Sequence, residues 1–110
     1  MKNIKFTAKE RKALLALKDA LDKKFKLLDF RIFGSRARGN ASPDSDIDVM
    51  IELDGYTSEV ESFIDDYVFE INLAYDCFIS TLIFSREELE KGPLGESPIY
   101  KTIAREGVGI

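Results

Sequence analysis

The connection between two early β-runs constrains this chain most. Leu28, Phe30 and Ile32 alternate with Asp29 and Arg31, which predicts a strand ending near Phe33. A second alternating run, from about Asp46 to Leu53, predicts another. Between them lie only residues 34–45, rich in Gly, Ser, Asn and Pro and therefore built of turns. So short a link has no room for a full crossover helix, and the two strands are expected to run antiparallel.

The other elements follow from periodicity and caps. Thr7 and Glu10 form a capping-box pair, and Leu14, Leu17, Leu21 and Phe25 recur at helical spacing, which predicts a helix over about 7–25. Ser58 and Glu61 read as a second capping box, opening a helix over about 58–75 whose inner face is Val60, Phe63, Ile64, Tyr67, Val68 and Ile71. Cys77 to Phe84 is apolar and β-branched, a third strand. Ser85 with Glu88 caps a short helix, and Gly92 to Gly95 is a loop. Ser97-Pro98 opens a last helix, with Gly107 as its expected C′ residue. The order α-β-β-α-β-α-α predicts an α/β (α+β) fold: one domain over 1–110, with a small mixed or antiparallel sheet of about three strands and helices mostly on one face.

Composition narrows the chemistry. One cysteine, Cys77, excludes an internal disulfide, and its apolar surroundings suit a buried inert thiol. The absence of histidine removes the Ser-His and Cys-His nucleophile systems, so any reaction must run on carboxylates, cations, hydroxyls or a metal. No apolar run approaches the ~20 residues that span a bilayer, and the first residues lack the apolar core of a signal peptide, so no membrane association is expected and a cytoplasmic location is. Charge is segregated: residues 1–38 hold twelve Lys/Arg against four Asp/Glu, whereas residues 39–85 hold eleven Asp/Glu and no cation. Those blocks are either solvated faces or a cationic element facing an acidic one across an anionic ligand and a metal. The net charge of −4 argues against broad nucleic-acid binding.

The stretch that carries chemistry is Phe33-Gly34-Ser35-Arg36-Ala37-Arg38-Gly39 followed by Asp44-Ser45-Asp46-Ile47-Asp48. Side chains alternate along a strand, so Asp46, Asp48, Met50 and Glu52 share one face and Ile47, Val49, Ile51 and Leu53 the other. Two neighbouring aspartates repel unless a cation lies between them, and Mg²⁺ takes such hard oxygen ligands; the plain alternative is a polar solvent face. The preceding turn tips the balance. Gly34 frees the backbone from a Cβ clash, Ser35 can cap a short helix and offer donors to an anion, and Arg36 and Arg38 bring charge suited to phosphate.

Gly34-Ser35-Arg36-Ala37-Arg38-Gly39 with Ser45-Asp46-Ile47-Asp48 resembles the G-S-x-A-R-G…S-D-x-D signature of the minimal nucleotidyltransferases, members of the DNA polymerase β-like superfamily. The match is nearly complete over residues 33–51, and the flanking element order extends it over most of the chain. The resemblance implies the polymerase β-like nucleotidyltransferase fold and transfer of a nucleotidyl group, AMP from ATP, to an acceptor hydroxyl. It implies that Gly34, Ser35, Arg36 and Arg38 meet the nucleotide. Asp46 and Asp48 would hold Mg²⁺ or Mn²⁺. It further implies a helical HEPN-type partner protein, with this chain as the antitoxin of the pair, and allows a homo-oligomer.

The family places a third carboxylate on the strand after the next helix. Here Asp76 is the only acid near that strand, and it stands at the start, with Phe78 and Ser80 at the positions within. Two readings stay open: Asp76 completes the catalytic and metal set, or it ends the preceding helix. Under the second, the domain is either a slow enzyme or a nucleotidyltransferase-like module that binds a partner without turnover.

Overall fold

The computed structural model describes residues 4–39, 42 and 45–110. Helix α1 spans Ala8–Lys24, strand β1 Leu27–Phe33, helix α2 Gly34–Arg38, strand β2 Ile47–Leu53, helix α3 Ser58–Tyr75 and strand β3 Ile79–Ser85. Helix α4 (Arg86–Lys91), a 3₁₀ turn (Pro93–Glu96), helix α5 (Pro98–Glu106) and a short strand β4 (Val108–Gly109) follow. The capping box at Thr7 and Glu10 forms as expected, as does the one at Ser85 and Glu88. Helix α3 is capped one residue earlier than the sequence suggests: Thr57, not Ser58, accepts the Val60 N–H.

The sheet has four strands in the order β3-β2-β1-β4. β1 and β2 pair antiparallel, Phe33 facing Asp48 and Ile32 facing Val49. β2 and β3 pair parallel with α3 as the crossover, Asp48 beside Ser80 and Glu52 beside Phe84. The fourth strand was not expected. Gly107 does not end α5 in the left-handed conformation; its φ of −65° and ψ of 145° are extended, and the chain runs on so that Val108 pairs with Ile32. Two residues are too few to announce a strand by alternation, so that pairing is a product of docking.

Helices cover both faces, which corrects the expectation of one covered face. Ile47, Val49, Ile51 and Leu53 pack with α1 (Leu14, Leu17, Leu21) and α3 (Ile64, Val68, Ile71) in the main core. Met50 on the opposite face packs with Phe84 and Ile103 in a second core, closed by Leu89, Leu94 and Tyr100 from the C-terminal elements. Met50 is 2 % exposed, and Glu52 beside it is turned to Arg86, whose Nε lies 2.7 Å from its carboxylate. The aspartate end of that face stays open: Asp46 is exposed and Asp48 half-buried. Among the described residues no helix is long and apolar enough to cross a membrane.

Candidate active site at the open end of the sheet

The site forms where β1 stops. Phe33 is extended and Gly34 turns to a φ of +72°, a left-handed conformation that L side chains rarely adopt. Space demands glycine there as well. A Cβ on Gly34 would stand 2.3 Å from the Asp48 Oδ2, so the Asp48 carboxylate lies directly against the turn. One turn and a half of helix follows, and Gly39 ends it at a φ of +81°, its N–H donating to the Ser35 and Arg36 carbonyls. Ser35 does not cap α2; the cap position is Phe33, and Ser35 lies in the first turn. The first N–H groups of any helix have no acceptor within it, and the start of this one lies against the Asp48 carboxylate.

The two arginines part company. Arg36 turns inward, 8 % exposed. Its Nη1 and Nη2 donate to the two Glu10 carboxylate oxygens at 3.1 and 2.8 Å, and Nη2 also donates to the Ser45 carbonyl at 2.9 Å. It thereby ties the start of α1, helix α2 and the approach to Asp46 into one body. Arg38 is half-exposed and lies 3.5 Å from the Glu106 carboxylate of α5. Its positive charge also acts on Asp48. That carboxyl is pushed above the usual carboxylate range, first by burial and then by the charge of Asp46, with Arg38 pulling the other way.

Asp76 stands at the junction of α3 and the approach to β3. It ends α3 in a left-handed conformation, φ 53° and ψ 55°, with its N–H donating to the Asn72 carbonyl and its side chain exposed. Strand pairing begins only three residues later, at Ile79. Among the described residues no group of three or more acids, histidines or cysteines is placed to hold a metal ion. The residue beside Asp48 on β3 is Ser80, exposed on the same face. Asp44, part of the signature stretch, lies outside the described residues. Cys77 is buried, 5 % exposed, and burial raises its thiol first, with Glu10 and Asp76 adding to the effect, which fits an inert role.

Two residues were not singled out from the sequence. Glu10 reads as the third residue of a capping box, and it is that, accepting the Thr7 N–H at 2.9 Å; the same carboxylate also holds Arg36. Glu106 carries no local signal at all, and only the packing of α5 against α2 brings it to Arg38.

Comparison with known proteins bears on the fold and the family. A solved structure of a protein provisionally described as a minimal nucleotidyltransferase superposes with a TM-score of 0.60 at 20 % identity, covering 91 % of each chain. At that identity the likeness speaks for the fold. A search of curated proteins finds no significant match. The nucleotidyltransferase domain model matches residues 14–98, more than three quarters of the sequence and all of the turn and the aspartate strand. A match over that much of the sequence shows the family, and this chain belongs to it: the nucleotidyltransferase domain family.

Proposed function

We propose that the chain catalyses divalent-metal-dependent transfer of AMP from ATP to an acceptor hydroxyl, and that the acceptor is carried by a HEPN-type partner protein for which this chain is the antitoxin. Family membership supports nucleotidyl transfer as the reaction class. The observation that carries the site is the Asp48 carboxylate lying against Gly34, under the opposed charges of Asp46 and Arg38. A carboxylate raised by burial and a like neighbour gains most from a hard cation, and Mg²⁺ is commonly held by one or two carboxylates together with substrate phosphates and water. The donor set therefore fits the metal, with Asp46 and Asp48 as its protein ligands. Bound there, the cation would lower the pKa of the acceptor hydroxyl and offset triphosphate charge.

The chain's own groups do the rest. Backbone N–H groups at Gly34 and Ser35 and the Ser35 hydroxyl bind phosphate oxygens, while Arg38 offsets their charge at the rim. Arg36 acts as a positioning residue: through Glu10 and the Ser45 carbonyl it holds the approach to Asp46 in place. The acceptor hydroxyl releases its proton to solvent as its oxygen bonds to the α-phosphorus, the bond from that phosphorus to the bridging oxygen breaks, and pyrophosphate leaves. Positioning and charge stabilisation supply the catalysis. A second reading, a module that binds nucleotide or partner without turnover, is favoured by one observation: Ser80 stands beside Asp48 where a third acid would complete the set.

Titration calorimetry with ATP, with and without Mg²⁺, tests the site. Metal-dependent binding should be lost in the Asp46→Asn/Asp48→Asn double variant while its unfolding transition persists; equal binding by both proteins refutes the metal assignment. ATP labelled at the α-phosphate then separates the two readings, since only the enzyme deposits label on the partner and releases pyrophosphate.

A further inference from the structure

Three of the most exposed large apolar side chains among the described residues fall within residues 69–78. They are Phe69 (66 % exposed), Leu73 (69 %) and Phe78 (68 %). Phe69 and Leu73 are four apart on α3, so they stack on one helical face, away from the Ile64, Val68 and Ile71 side that meets the core. Around the helix, Asp65 falls on one side of this pair and Asp66 and Glu70 on the other, all three exposed. No lysine or arginine occurs between residues 39 and 85. The face is therefore apolar along its ridge and negative along both rims.

Its position matters as much as its chemistry. Asn72, between these two residues in sequence, bends to β3: its side-chain amide accepts the Ile79 N–H at 2.8 Å and donates to the Ile79 carbonyl at 3.2 Å. The Phe78 carbonyl accepts the Ile47 N–H and so faces β2, which by alternation turns the Ile79 backbone groups to the outer edge of the sheet. Asn72 thus seals the beginning of that edge. The Ser85 N–H, at the far end, is taken by Glu88 at 3.0 Å. Only Thr81 and Ile83 keep outward backbone groups between the two seals, a window too short to favour an added strand. Cys77 and Ile79 turn into the main core with α3, so Phe78 between them belongs by alternation to the opposite face of the sheet, with Ser80 and Asp48, and the Phe69–Leu73 ridge stands by itself on the outer side of α3.

We propose that the Phe69–Leu73 face of α3 is the docking surface for a second protein, which presents an amphipathic helix whose apolar stripe is flanked by Lys and Arg. A ridge of residues four apart matches the ridges and grooves of another helix. Basic flanks complement Asp65, Asp66 and Glu70. A second copy of this chain fits worse, because it would set those three carboxylates against their own copies. The docking rests on this surface alone. That the docked protein is also the acceptor of the nucleotidyl group rests on the transfer reaction proposed above. Binding is therefore measured without nucleotide or metal, so that failure of docking and failure of that reaction are distinguishable.

The probe is a synthetic amphipathic helix of Leu and Lys, with a Leu/Glu peptide of the same pattern as control. Added to the full chain labelled with ¹⁵N, the Leu/Lys peptide should move the amide resonances of residues 65–73, and the Leu/Glu peptide should move none. Phe69→Ser/Leu73→Ser, both surface positions, should weaken binding at least tenfold, while Leu15→Ser, an exposed site on the lysine-rich α1, should leave it unchanged. Equal binding by the double variant overturns the proposal, as do shifts confined to other acidic segments. So does a preference for an alternating Lys/Val peptide that moves Thr81 and Ile83, which would assign the surface to strand addition. A concentration-dependent dimer in ultracentrifugation that Phe69→Ser/Leu73→Ser abolishes also overturns it, since the occupant would then be a second copy.

Discussion

Arg36 stands in the glycine-turn signature, where a phosphate ligand is expected, yet its guanidinium is engaged by Glu10 and the Ser45 carbonyl. The two roles predict different responses to Arg36→Met. As a brace, Arg36 gives up two charge-assisted bonds to a carboxylate whose side chain is 12 % exposed, together with its bonds to the Ser45 and Lys5 carbonyls. Hydrogen bonds to charged groups contribute roughly 1.5–3 kcal/mol each, and removing one partner of a buried pair costs roughly 3–5 kcal/mol. Glu10 keeps the Thr7 N–H and some water, so the lower end applies, about 3 kcal/mol. For a chain of this length that lowers Tm by about 13 °C. A double-mutant cycle with Glu10→Gln should return a coupling of about 2 kcal/mol in urea unfolding. The pair should also be sensitive to acid. Burial by itself pushes Glu10 up, but the bonds from Arg36 and Thr7 outweigh it and the carboxyl titrates below its usual range. A depressed carboxylate adds stability above its unfolded pKa and loses it as pH falls through the folded one, so wild type and Glu10→Gln should converge below the ordinary carboxylate range. A coupling within about 0.5 kcal/mol of zero refutes the brace. So does an Arg36→Met variant with unchanged Tm and weakened ATP binding.

Three further outcomes follow from the site. Gly34→Ala places a methyl at 2.3 Å from Asp48 Oδ2 in a left-handed backbone; it should cost roughly 1–2 kcal/mol from conformation alone and displace the carboxylate, so calorimetry should show metal-dependent ATP binding lost before the fold is. In metal-free buffer Asp48→Asn should be more stable than wild type at neutral pH: a carboxyl raised by burial and by Asp46 penalises the charged folded state once pH exceeds the unfolded pKa, and the difference should vanish in acid, as thermal melts across pH can show. Asp76→Asn should leave nucleotide and metal binding intact, because asparagine tolerates the left-handed cap, whereas Ser80→Asp should tighten Mn²⁺ binding by setting a third carboxylate beside Asp48; loss of metal binding in Asp76→Asn would return that residue to the site.

Local features were legible in the sequence wherever local physics decides them. The short link after Phe33 required antiparallel strands, alternation gave β2 its two faces, and Thr7, Ser85 and Ser97 marked helix starts that the structure retains. Gly34 was legible because a backbone turn and the family signature both demand it. What needed the tertiary structure was every decision that joins distant segments. Met50 and Glu52 read as a solvent face until the C-terminal helices cover it. Val108 becomes a strand only because Ile32 offers it an edge. Arg36 and Arg38 have the same charge and nearly the same local sequence, but Glu10 lies on the inner side of α2 and Glu106 on the outer, which makes one a brace and leaves the other facing Asp48. Asp76 has the parity of a third ligand, but it lies before β3 as the left-handed residue that ends α3, where strand parity does not fix its side chain. A sequence pattern reports the period of one element, whereas partners from other elements depend on packing that no single period encodes.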